Sequence, residues 1–100
     1  MKLLDAVKNV TIDDKDILKR ILSSLQDRVE DIENKEPFNY SDSYYNKWLE
    51  KLEELNSIVE DLEEILRIRR RVERQKLLNR VKINISYYQF QYGGLKRLLV

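Results

Sequence analysis

Between Tyr45 and Leu66 seven apolar residues recur in alternating steps of three and four: Tyr45, Trp48, Leu52, Leu55, Val59, Leu62 and Leu66. Side chains so spaced share one face only on a helix, and the same spacing builds a coiled-coil seam. A stripe of about six helical turns has to be buried, and that requirement constrains the rest of the chain. With 100 residues there is material for one core and not for two. Two glycines and one proline are too few for the many tight turns of an all-β domain. The expected fold is therefore all-α.

Other stretches repeat the pattern. Leu3, Leu4, Val7 and Val10 outline a short helix over about residues 2–9, too brief to stand alone. Ile17, Leu18, Ile21, Leu22, Leu25, Val29 and Ile32 form a broad apolar face, which predicts a helix over about 12–35. Thr11 and Asp14 have capping-box spacing at its start. Pro37 forces an end, because the residue before a proline is pushed out of helical geometry. Asn39, Ser41 and Ser43 are candidate caps for the next helix, so helices two and three should fold back as an antiparallel hairpin. Phe38, Tyr40 and Tyr44 are expected to plug its closed end, a cofactor pocket being the sharper reading of the same aromatics.

The third helix, over about 43–74, cannot continue straight. Beyond it Leu78, Val81, Ile85, Tyr88, Tyr92, Leu95 and Leu99 define a second stripe. This stripe lies roughly 150° around the helix from Ile65, Ile68 and Val72. A break between Glu73 and Lys76 resolves the conflict and leaves a fourth helix over about 77–92. Residues 81–92 also alternate apolar and polar as a strand would, but the chain offers no partner strand, and helix is the preferred reading. Gly93-Gly94 ends the element. One hairpin has too little apolar surface to cover both stripes. The expectation is a single domain whose small bundle is completed by self-association through Leu78, Val81, Ile85, Tyr88, Tyr92 and Leu95.

Charge is divided along the chain. Residues 1–66 carry 9 basic and 17 acidic side chains, whereas residues 67–100 carry 10 basic ones against Glu73 alone. Arg67, Arg70, Arg71 and Arg74 would share one face of a continuous helix, with Lys76, Arg80 and Lys82 extending the track. Pairs such as Glu63 with Arg67 and Arg69 with Glu73 relieve little of that repulsion. Two uses follow. The basic side chains can neutralise acidic faces, from Glu30, Asp31 and Glu33 or from Glu60 to Glu64, within the chain or between copies. Alternatively they can bind nucleic-acid phosphates, with Tyr87, Tyr88 or Phe90 stacking on bases.

Chemistry has little foothold. Cysteine and histidine are absent, removing disulfides, thiolates and the commonest general base and metal ligand. No glycine-rich phosphate loop or metal-ligand spacing is present, and no apolar run is long enough to span a bilayer. Asp5 and Lys8 stand where a secretory signal would be apolar. The expectation is a non-enzymatic, cytoplasmic helical protein acting through protein–protein contact or self-association, with no catalytic, cofactor or metal site. The alternative is a nucleic-acid-binding regulator using residues 67–82.

Overall fold

The computed structural model describes residues 2–38, 41–96 and 98, so the candidate cap Asn39, the aromatic Tyr40 and Leu99 of the second stripe lie outside the described residues. Four helices follow in order, α1 (Leu3–Asn9), α2 (Lys15–Glu33), α3 (Asp42–Arg67) and α4 (Arg71–Tyr92), with no strand among the described residues. The chain is all-α, and the strand reading of 81–92 gives way to one continuous helix. α3 lies in the middle, antiparallel to α2 on one side and to α4 on the other, and α1 bridges α2 and α4. The molecule is elongated along the bundle, 46 × 26 × 20 Å.

The central position of α3 explains its burial pattern. A helix with neighbours on both sides needs a wider apolar face than one stripe supplies. Accordingly Ile58 and Ile65, outside the stripe, are buried with Leu55, Val59 and Leu62. The start of the stripe is covered less than expected: Trp48 and Leu52 are only partly buried and Tyr45 is exposed. Leu18, Ile21, Leu25, Val29 and Ile32 of α2 complete one half of the core; Leu3, Ala6, Val7, Val10 and Ile12 close its open side.

Element boundaries depart from the expectation in instructive ways. α2 starts three residues later than the expected start near residue 12, because Thr11 and Asp14 form a turn of their own. The Asp14 carboxylate accepts from the Thr11 N–H at 2.8 Å and from its hydroxyl at 3.0 Å. That is half of a capping box, placed ahead of the helix rather than on it. Ser41 is the cap of α3, its hydroxyl accepting from the Tyr44 N–H at 3.3 Å. Phe38 and Tyr44 do not plug the hairpin: both face solvent. Trp48 closes that end instead, donating its indole N–H to the Ile32 carbonyl at 3.0 Å.

The break in the long helix exists but falls at Ile68–Arg70, not between Glu73 and Lys76. Ile68 and Arg70 are extended, at φ −75°, ψ 153° and φ −68°, ψ 116°. Neither glycine nor proline marks the turn. Arg74 holds it by reaching back from α4. Its guanidinium donates to the Ile65 carbonyl at 3.2 Å, near the C-terminus of α3, and to the Ile12 carbonyl at 2.6 Å. One cation thereby serves a helix end left without partners and completes its dipole.

Breaking there turns the second stripe inward. Leu78, Val81, Ile85, Tyr88 and Leu95 are buried by the chain's own helices, and Tyr92 packs partly against them. These residues are core, so the reason for assigning them to a contact between copies falls away: α1 and the tail supply the cover that a two-helix hairpin lacks. α4 ends at Gly93 and Gly94, at φ 71° and 88°. The left-handed φ of Gly94 is what calls for glycine; a Cβ there would also meet the end of the Arg28 side chain, which can swing aside.

Candidate interaction surface

The basic residues of 67–82 do not form one face, because the break divides them between two helix ends. Most of them meet a specific partner within the chain. Arg67 pairs with Glu64 rather than Glu63, and Arg70 with Glu73 at 3.3 Å. Arg71, the first residue of α4, makes a two-pronged bond with Asp13 of the turn before α2, both contacts at 3.0 Å. That bond holds the Asp13 carboxyl below the usual range and raises the Arg71 guanidinium. Arg80 grips Asp61 of α3 with two bonds of 2.9 and 2.7 Å and is itself raised by that contact. Lys82 donates to the Lys8 carbonyl at 3.3 Å.

Bidentate guanidinium–carboxylate geometry of this kind is directional and charge-assisted. It ties α4 to α3 and to the turn before α2. The acidic partners are Asp13, Asp61, Glu64 and Glu73, of which Asp61 and Glu64 fall in the expected acidic segment. Lys76 and Arg69 are exposed and have no ion pair among the described residues.

A different feature of α4 stands out. Ile83, Tyr87 and Phe90 lie on the side of the helix opposite Ile85 and are 68%, 57% and 90% exposed. With Val72, also exposed, they make α4 apolar on two faces, whereas a helix serving only a core is polar outside. Tyr87 also lines a groove of about 240 Å³ between α3 and α4, with Glu54, Ser57, Ile58 and Asn84. The sequence signal for this face was the alternation over 81–92. A helix apolar on both sides places apolar residues at successive odd positions, just as a strand does. What distinguishes the two is the four-three spacing of Ile83, Tyr87 and Phe90 alongside that of Val81, Ile85, Tyr88 and Tyr92.

A second cleft, of about 420 Å³, lies between the start of α3 and the end of α4, lined by Tyr44, Lys47, Trp48, Glu50, Lys51, Gln91 and Tyr92. Partial burial lowers the Lys51 ammonium, with Arg28 and Lys35 adding to the effect and Asp31 opposing it. Among the described residues no three His, Cys, Asp or Glu side chains group as a metal site requires, and no helix is long and apolar enough to cross a membrane. Comparison with protein-family models, with curated proteins and with solved structures finds no significant match in any of the three.

Proposed function

We propose that the chain is a non-enzymatic, cytoplasmic interaction protein that docks another protein chain on the outer face of α4. The observation that carries this reading is the exposure of Ile83, Tyr87 and Phe90 along one line of α4. A contiguous exposed apolar patch marks an interaction site far more often than a random surface does, and aromatic side chains supply most interface hot spots. Nucleic-acid binding through residues 67–82 is the weaker reading. Arg71, Arg74 and Arg80 are engaged by carboxylates and carbonyls of the chain itself, and a phosphate would have to displace those bonds.

The test is affinity capture of the tagged chain from its native cell, with and without nuclease. It compares the parent with a variant carrying Ile83→Ser, Tyr87→Ser and Phe90→Ser. The expected outcome is nuclease-resistant protein binding that the variant loses with its helicity intact. Binding that survives the triple substitution, or that nuclease abolishes, would sink the proposal.

A further inference from the structure

We infer that the cleft between the start of α3 and the end of α4 binds a small aromatic carboxylate. The cleft is separate from the outer face of α4, since none of Ile83, Tyr87 and Phe90 lines it. Three aromatic rings do, Tyr44 and Trp48 from α3 and Tyr92 from α4. Two of them are held in place before any ligand arrives. The Trp48 indole N–H is bonded to the Ile32 carbonyl at 3.0 Å, and its ring lies 5.4 Å from that of Tyr45. The Tyr92 ring lies 5.0 Å from that of the buried Tyr88. Rings fixed in this way receive a flat apolar body with little freedom of their own left to lose. A volume of about 420 Å³ is in the range of small-molecule sites.

Charge decides what that flat body carries. Lys47 and Lys51, one helical turn apart, line the cleft against the single carboxylate of Glu50. Lys51 is partly buried and has no ion pair among the described residues. Asp31 acts on it through charge, but Arg28 at 2.6 Å and Lys35 at 3.2 Å already engage that carboxylate. A partly desolvated cation left in this way is completed by a ligand carboxylate. Glu54 and Glu50 act through charge on the Tyr92 hydroxyl, so the carboxylate belongs at Lys51 and the far edge of the ring toward Tyr92. Two ammoniums against Glu50 leave one net positive charge. Counting the neighbours, Arg28 and Lys35 against Asp31 and Glu54, does not alter that balance. It suits one carboxylate, and it disfavours the quaternary ammonium that aromatic walls alone would accept.

Three probes of one shape test the site: naphthoate, its neutral analogue naphthamide and the cation naphthyltrimethylammonium, each titrated into the isotope-labelled chain and followed by nuclear magnetic resonance. Naphthoate should shift the indole N–H signal of Trp48, the sole tryptophan, saturably, with a dissociation constant between about 10 μM and 1 mM. Naphthamide should bind at least tenfold more weakly. Lys51→Met should weaken naphthoate at least tenfold, while Lys51→Arg keeps most of the affinity. The variant carrying Ile83→Ser, Tyr87→Ser and Phe90→Ser should bind naphthoate as the parent does, so the cleft and the docking face succeed or fail separately. No saturable shift at millimolar naphthoate, equal affinity for the amide or tighter binding of the cation would overturn the site. A loss confined to the triple variant would place the probe on the outer face of α4 and overturn it too. The comparison of probes uses the unaltered chain, and so it decides even where the Lys51→Met chain folds poorly.

Discussion

The Tyr88 hydroxyl is carried into the core on a fully buried residue, and no hydrogen bond meets it there among the described residues. Burial pushes it up to about 12, against the pull of the nearby Arg28 guanidinium, which acts on it through charge and as a close polar neighbour. The folded chain thus holds this proton more tightly than the unfolded chain, whose tyrosines titrate near 10. Stability from this source is intact below pH 10 and declines as pH rises through the window to about 12. Tyr88→Phe should remove that part of the decline. At pH 7 it should change stability by no more than about 1 kcal/mol, because it deletes an unsatisfied hydroxyl while keeping the ring. Urea titrations of both proteins at pH 7 and pH 11 measure the difference. Asp61 is the opposite case: a buried carboxylate fully met by Arg80.

At the scale of the elements, the turn at Ile68–Arg70 depends on one side chain more than on its own residues. Arg74→Gln removes the donors to Ile65 and Ile12 and should cost about 1–3 kcal/mol, the range for stranding partly buried polar groups. Arg67→Gln deletes only an exposed pair within α3 and should cost about 0–1 kcal/mol. Chemical denaturation of the two variants checks the contrast, and equal losses would mean that Arg74 is not the strut. Why the sequence misplaces the turn follows from the same residues. Apolar periodicity records which faces need cover, so Leu18 to Ile32 and Leu55 to Leu62 announced two helices, and the offset of Leu78 and Val81 announced a break. The position of that break is held by a long-range contact between residues 74 and 12, which leaves no trace in local spacing. The basic residues were visible as a cluster for the same reason, while their carboxylate and carbonyl partners came from distant segments.

For the whole molecule, ion pairs join segments of opposite sign. The acidic first two-thirds and the basic last third meet at Asp13–Arg71 and Asp61–Arg80. The depressed Asp13 carboxyl makes one such joint pH-sensitive. Its contribution is present above the unfolded value of 3.8 and is lost as pH falls through the lower folded value. Asp13→Asn should therefore flatten part of the stability loss on acidification below pH 4 while leaving the alkaline behaviour unchanged. Thermal melts from pH 2 to pH 7 provide the measurement.

The hydrogen bond from Trp48 to Ile32 has an optical consequence. Trp48 is the sole tryptophan, and its indole is fixed where the end of α2 meets the start of α3. Its emission therefore reports the opening of that junction and is blind to the far end, where Arg74 and Arg71 fasten α4. Far-ultraviolet ellipticity sums over all four helices. If the bundle melts as one unit the two signals will superimpose; if α4 frays from its basic end first, ellipticity will fall while the emission maximum stays still.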